Sequence, residues 1–166
     1  MTLIYSFDPI ADEHAEILIL GSIPGQASLS AGQYYAHHRN AFWLIISNLL
    51  QIDPDAPYQT KIEALKSARI ALWDVLQSCK RTGSLDSGIV NDSLMINDFQ
   101  TFFRSHKEIK QVFFNGAKAE TCFKRHILRQ TKLDYMSFTR LPSTSPANAT
   151  TSFSHKLAAW RLILDD

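Results

Sequence analysis

The chain has 166 residues, 45% of them hydrophobic and 20% charged, with a formal net charge of +1. That is enough for one α/β domain with a real core, expected over residues 1–166. No run approaches the roughly 18 apolar residues of a membrane helix, the Met1–Pro9 opening lacks a basic start and a cleavage site, and two cysteines are too few for a zinc site or disulfide framework. A cytoplasmic protein without metal or cofactor is the expectation.

The first apolar run, Ile17–Leu20, reads as a buried strand that ends in the loop Gly21-Ser22-Ile23-Pro24-Gly25. Two glycines around a proline let the backbone turn sharply and lie close to a ligand. The aromatic, amide-containing stretch Tyr34–Trp43 follows, and flat surfaces beside hydrogen-bonding groups suit a planar guest such as a nucleobase. Phe42, Ile45, Ile46, Leu49 and Leu50 recur at helical spacing. Pro54 and Pro57 break the chain before a short helix over Tyr58–Ser67, and Ile70–Val75 reads as the second strand.

A polar loop is expected from Ser78 to Gly88, then a helix capped by Asn91, Asp92 or Ser93 and carrying Leu94, Phe99, Phe102 and Phe103. Val112–Phe114 is the third strand, ending at Asn115-Gly116, and a basic helix runs from Ala117 to about Gln130. The last strand, Tyr135–Leu141, ends in Leu141-Pro142-Ser143-Thr144-Ser145-Pro146. A closing helix puts Phe153, Leu157, Trp160 and Leu164 on one face. Cys79, beside Lys80 and Arg81, is either a low-pKa thiol or a buried structural cysteine, the second being the ordinary case.

Four strands separated by helices predict a three-layer sandwich, a mostly parallel sheet covered on both faces. In such sheets the loops at the carboxyl ends of the strands build the site. Here these are Gly21–Gly25, Leu76–Gly88, Asn115–Ala117 and Pro142–Asn148, which also hold the polar outliers of the sequence. Charge is distributed unevenly: residues 1–100 carry six Lys/Arg against eleven Asp/Glu, and residues 101–140 carry nine against three. The second segment is either a set of solvated helix faces or a basic side that meets phosphates.

No glycine pattern here ends in Gly-Lys-Ser/Thr, the first loop lacks the dinucleotide fingerprint, and the histidines (His37-His38, His14, His106, His126, His155) lack metal-ligand spacing. Ser22 after a strand admits an acyl-hydrolase reading with a histidine base, without the Gly-x-Ser-x-Gly context that chemistry prefers.

The segment Ile17–Trp43 resembles the first conserved block of the uracil-DNA glycosylase superfamily. Tyr35-Ala36-His37-His38-Arg39-Asn40-Ala41-Phe42-Trp43 matches its aromatic-Ala-His-Pro-x-Asn-x-Phe-Trp segment, with His38 in place of proline. Val112–Gly116 is similar to the third-strand block, and Leu141–Pro146 resembles the Pro-Ser loop that enters DNA beside the lesion. Together with Trp73-Asp74-Val75, these blocks look closest to the hypoxanthine-DNA glycosylase branch. The resemblance implies a monomeric, monofunctional repair enzyme that flips a deaminated base out of DNA and hydrolyses its N-glycosidic bond. A mismatch-directed uracil or thymine glycosylase and a catalytically silent DNA-binding relative are the alternatives.

Carried over residue by residue, the resemblance makes Gly21, Ser22, Ile23, Pro24 and Gly25 one wall of the base pocket and Tyr35 its stacking partner. Relatives that direct water with Asp or Asn from the first loop place it where this chain has Ile23, so Asn40 becomes the catalytic amide, or else only a helix cap. Asp74 contacts base or sugar, or caps a turn. Asn115 meets a phosphate, or shapes a turn with Gly116. Pro142, Ser143, Thr144, Ser145 and Pro146 are expected at DNA, with Pro146 as a wedge. Lys118, Lys124, Arg125 and Arg140 are expected at the phosphate backbone.

Overall fold

In the computed structural model, which describes residues 2–165, the chain begins β1 (Thr2–Tyr5), β2 (Ile17–Gly21), α1 (Gln26–Ala31), α2 (Phe42–Leu50), α3 (Tyr58–Ser67), β3 (Ile70–Asp74) and β4 (Leu76–Arg81). It continues β5 (Met95–Ile96), α4 (Phe99–Ser105), β6 (Gln111–Asn115), α5 (Ala117–Phe123), β7 (Ser137–Leu141) and α6 (Phe153–Trp160). Strands β3-β2-β6-β7 form a four-stranded sheet in that order, parallel at every pairing.

Side-chain alternation along these strands explains the layers, because successive residues point to opposite faces. Leu18, Leu20, Ala71, Trp73, Val112 and Phe114 join the aromatic side of α4 and α5, centred on Phe99, Phe102, Phe103 and Phe123. Ile19, Leu72 and Phe113 face the other way, onto Phe42, Ile45, Ile46 and Leu49 of α2, Leu65 of α3 and Trp160 of α6. Burial on both faces is why these strands read as unbroken apolar runs. The expected three-layer α/β sandwich is therefore present.

Three expectations need correction. The Ser78–Gly88 stretch is strand as far as Arg81: β1 pairs antiparallel with β4, and β5 pairs on the other side, making a second, three-stranded sheet. The pairing is to a segment over 70 residues away, so no local pattern announces it. The fourth helix begins later than expected. Asn91–Ser93 is a single 3₁₀ turn and Met95–Ile96 is taken by the small sheet. The cap is Asp98, whose carboxylate accepts from the Thr101 N–H at 3.1 Å and the Thr101 hydroxyl at 2.7 Å. In the last helix, Trp160 is fully buried, but Phe153 and Leu164 are 39% and 46% exposed, so they do not share its buried face.

The basic 101–140 segment does not form one side. Lys107 and Lys110 lie where β6 begins, next to Glu16 at the start of β2. Lys118 and Arg140 lie near the opposite, carboxyl end of the sheet. Both Lys124 (3.3 Å) and Arg140 (3.8 Å) pair with Glu120. Among the described residues no helix is long and apolar enough to cross a membrane.

Candidate active site

The parallel strands end together, and the loops leaving them enclose a cavity of about 790 Å³. This is within the size range of small-ligand sites. Its wall takes Gly21–Gly25 from β2, Asp74 from β3, Asn115 from β6 and Ser143–Asn148 after β7. Tyr34, Tyr35, His37, Arg39 and Asn40, from the segment before α2, line it as well.

The β2 end is locked to its neighbour, since the N–H groups of Val75 and Leu76 donate to the carbonyls of Gly21 and Ser22 at 2.8 and 3.1 Å. This seats Gly21 against Asp74. A Cβ on Gly21 would lie 2.5 Å from Asp74 Oδ1 and 2.7 Å from the Tyr35 hydroxyl, so only glycine admits both polar groups here. Ile23 and Pro24 are buried, and Ile23 belongs to the core.

Tyr35 has φ +54°, the left-handed region that a bulky residue adopts only when its surroundings dictate it. The flanks supply that constraint. Trp43 Nε1 donates to the Tyr34 carbonyl at 2.7 Å, the Tyr58 hydroxyl accepts from the Tyr34 N–H at 2.9 Å, and Ser28 Oγ accepts from the Ala36 N–H at 3.1 Å. The Tyr35 ring stacks on Phe42 with centroids 4.1 Å apart. Its hydroxyl is buried without a hydrogen-bond partner among the described residues, and burial raises its pKa.

Asn40 stands just before α2, and its Oδ1 accepts from the Phe42 N–H at 2.9 Å. That bond fixes which end of the amide is oxygen and leaves the Nδ2 donors without a partner among the described residues.

Asp74 is 4% exposed, and its Oδ2 is buried without a partner among the described residues. Burial first, then the Asp86 carboxylate, pushes its pKa up to about 7.

Asn115 and Thr144 clasp each other: Asn115 Nδ2 donates to Thr144 Oγ1 and the Thr144 N–H donates to Asn115 Oδ1, both at 2.9 Å. Thr144, 1% exposed, is thus turned inward, and its carbonyl accepts from the Ala41 N–H at 3.0 Å. Ser143, Ser145 and Pro146 remain on the cavity wall. Gly116, at φ +93°, lets this loop close in, since a Cβ there would meet Ser143 Cβ at 3.1 Å. Pro142 stands outside the cavity lining, with its carbonyl accepting from Trp160 Nε1 at 2.9 Å. Lys118 is also off the wall and donates to Asn91 Oδ1 at 2.9 Å.

Sequence reasoning named the second-strand loop as part of the site but singled out no residue in it. Ser84–Ser87 line the cavity, pinned across to the first loop. Ser22 Oγ donates to Asp86 Oδ1 at 2.6 Å, and Ser84 Oγ accepts from the Gln26 N–H at 3.1 Å. The Ser22 hydroxyl is therefore committed to a carboxylate rather than to the histidine base an acyl hydrolase needs. Cys79 and Cys122 are buried thiols whose pKa is raised chiefly by burial, so Cys79 is not activated. Among the described residues no group of three or more His, Cys, Asp or Glu is placed to hold a metal ion.

Comparison with known proteins gives this cavity its class. The family model of the uracil DNA glycosylase superfamily matches residues 8–164, and the chain belongs to that superfamily. Within it, the chain is 41% identical over 114 residues to the hypoxanthine DNA glycosylase of Methanosarcina barkeri strain Fusaro. It is 39% identical over 114 residues to that of Methanosarcina acetivorans; each alignment covers 68% of this chain and 71% of the relative. A solution structure from M. acetivorans, provisionally described as a uracil DNA glycosylase, superposes with a TM-score of 0.80 at 33% identity. That superposition covers 98% of this chain and 99% of the other.

Proposed function

We propose that the protein is a monofunctional DNA glycosylase that draws a deaminated base, hypoxanthine foremost, into the strand-end cavity and hydrolyses its N-glycosidic bond. The observation that carries the reading is Asn40: an amide held in one orientation on the cavity wall, while the first loop offers only a buried isoleucine at the water-directing position. The two relatives named hypoxanthine DNA glycosylase support the choice of base.

In this reading the flipped base lies against Tyr35, whose ring is backed by Phe42. Asn40 holds the attacking water with its unpaired Nδ2 donors and the second lone pair of Oδ1. Backbone N–H groups of the first loop, which Pro24 lacks, are available to the departing base, where negative charge develops. Ser143, Ser145 and Pro146 meet the strand at the rim, Asn115 sets that loop through Thr144, and Lys118 and Arg140 approach phosphates beyond it. On this reading the enzyme is a monomer that acts in the cytoplasm.

Asn40→Ala tests the assignment in single-turnover hypoxanthine release from a deoxyinosine duplex. Release is expected to fall at least about 10²-fold, duplex binding to persist, and stability to drop by only about 1 kcal/mol through the lost bond to the Phe42 N–H. An active Asn40→Ala variant removes Asn40 from the chemistry. A wild type that binds lesion DNA and releases no base supports the silent-relative reading, which the Ile23 departure makes possible.

A further inference from the structure

We infer that Asp74 is the acid that protonates the base as it leaves, an assignment that rests on the glycosylase reading above. Asp74 ends β3 at the floor of the cavity, with Gly21 cut back to hydrogen to make room for its Oδ1. Asp74 lines the cavity and its buried Oδ2 has no partner among the described residues, so the polar bonds of this carboxyl are left for a ligand to complete.

The surroundings of Asp74 favour the protonated form. From the pinned second loop comes the Asp86 carboxylate, which disfavours a second negative charge; the phenols of Tyr34 and Tyr35, from the segment before α2, are uncharged neighbours. The Asn97 amide donates to the Asp74 backbone carbonyl at 2.8 Å and leaves the carboxyl untouched. His37 and Arg39 line the same wall, yet neither forms an ion pair with Asp74. Burial and a neighbouring negative charge both disfavour a second carboxylate, and the group titrates at about 7. At neutral pH it is therefore an available proton donor, the state a departing purine requires, since a carboxylate there would repel the anion being formed.

The step balances. The C1′–N9 bond breaks and its electron pair passes into the purine ring. The Asp74 proton moves to a ring nitrogen, so neutral hypoxanthine departs. The oxygen of the water held by Asn40 bonds to C1′, the surplus proton of that water is released to solvent, and Asp74 is reprotonated from solvent once the base has left. Asn40 thus acts on the water and Asp74 on the leaving base.

The test is single-turnover release of hypoxanthine from a deoxyinosine duplex, followed from about pH 5.5 to about pH 9, by wild type and Asp74→Asn. With the acid form active, the wild-type rate constant is expected to be level below about pH 7 and to fall tenfold per pH unit above it. Asp74→Asn, nearly isosteric, is expected to bind the duplex and melt no lower than wild type, to release base about 10²-fold more slowly at low pH, and to lose the alkaline limb. Hypoxanthine release with a flat wild-type profile, or a limb that survives in Asp74→Asn, overturns the assignment while leaving the glycosylase reading intact. No hypoxanthine release by the wild type at any pH overturns both.

Discussion

Gly21 shows how much of the site depends on a missing side chain. Its loop was readable in the sequence as a tight turn, but the reason for glycine was not. The residue makes room for an aspartate 53 positions later and a tyrosine 14 positions later. Gly21→Ala forces its Cβ into the Asp74 carboxyl and the Tyr35 hydroxyl. The pocket floor then has to shift, at a cost of about 1–3 kcal/mol for overpacking. Displacement of the reacting groups by even an ångström costs about 10²-fold in rate. Base release is therefore expected to collapse well before the fold does, which paired melting and single-turnover measurements on Gly21→Ala would show. Full activity with an unchanged melting temperature would mean that the floor is not part of the reacting geometry. Asn40 and Tyr35 were visible as candidates because motif and loop position agree. The orphaned hydroxyl of Tyr35 and the raised pKa of Asp74 arise only from packing.

At the scale of elements, the parallel sheet was readable because buried strands leave apolar runs and the helices between them keep a 3.6-residue period. The α2 and α3 expectations coincide with Phe42–Leu50 and Tyr58–Ser67. The small antiparallel sheet was invisible because β1 and β5 are short and mostly exposed, and β4, though largely buried, pairs with β1 across more than 70 residues. That sheet matters to the site, since it launches the Thr82–Gly88 loop toward the cavity. Arg81 Nε holds the Gly83 carbonyl at 2.8 Å, and the Thr82 N–H donates to the Gly88 carbonyl at 3.1 Å. The fourth loop has its own anchor in Asn115. Asn115→Ala strips the buried Thr144 N–H and hydroxyl of their partner, a loss of about 1–3 kcal/mol for each group left unsatisfied. Faster amide exchange at Thr144 and weaker duplex binding are expected, with the chemistry of bound substrate changed far less. An Asn115→Ala variant that binds normally but fails to cleave would instead place Asn115 at the base.

Across the whole molecule, a tally of charge along the sequence left two readings open, solvated helix faces or one basic side, and the fold favours the first. The segment 101–140 passes along one strand and back along a helix, so its cations are divided between the two ends of the sheet. Some of those at the cavity end are already paired with Glu120 or Asn91. The whole-chain features that did carry function were topological: four parallel strands ending side by side gather distant loops onto one cavity, as Asp74, Asn115 and Asn40 illustrate. Membership of the superfamily leaves the choice of base to the shape and polarity of that cavity. Otherwise identical duplexes carrying deoxyinosine, deoxyuridine, deoxyxanthosine or a mismatched thymidine, incubated with excess enzyme and assayed for free base, test the central claim most directly. The account predicts that hypoxanthine is released fastest; release of uracil or thymine with deoxyinosine left intact would contradict it.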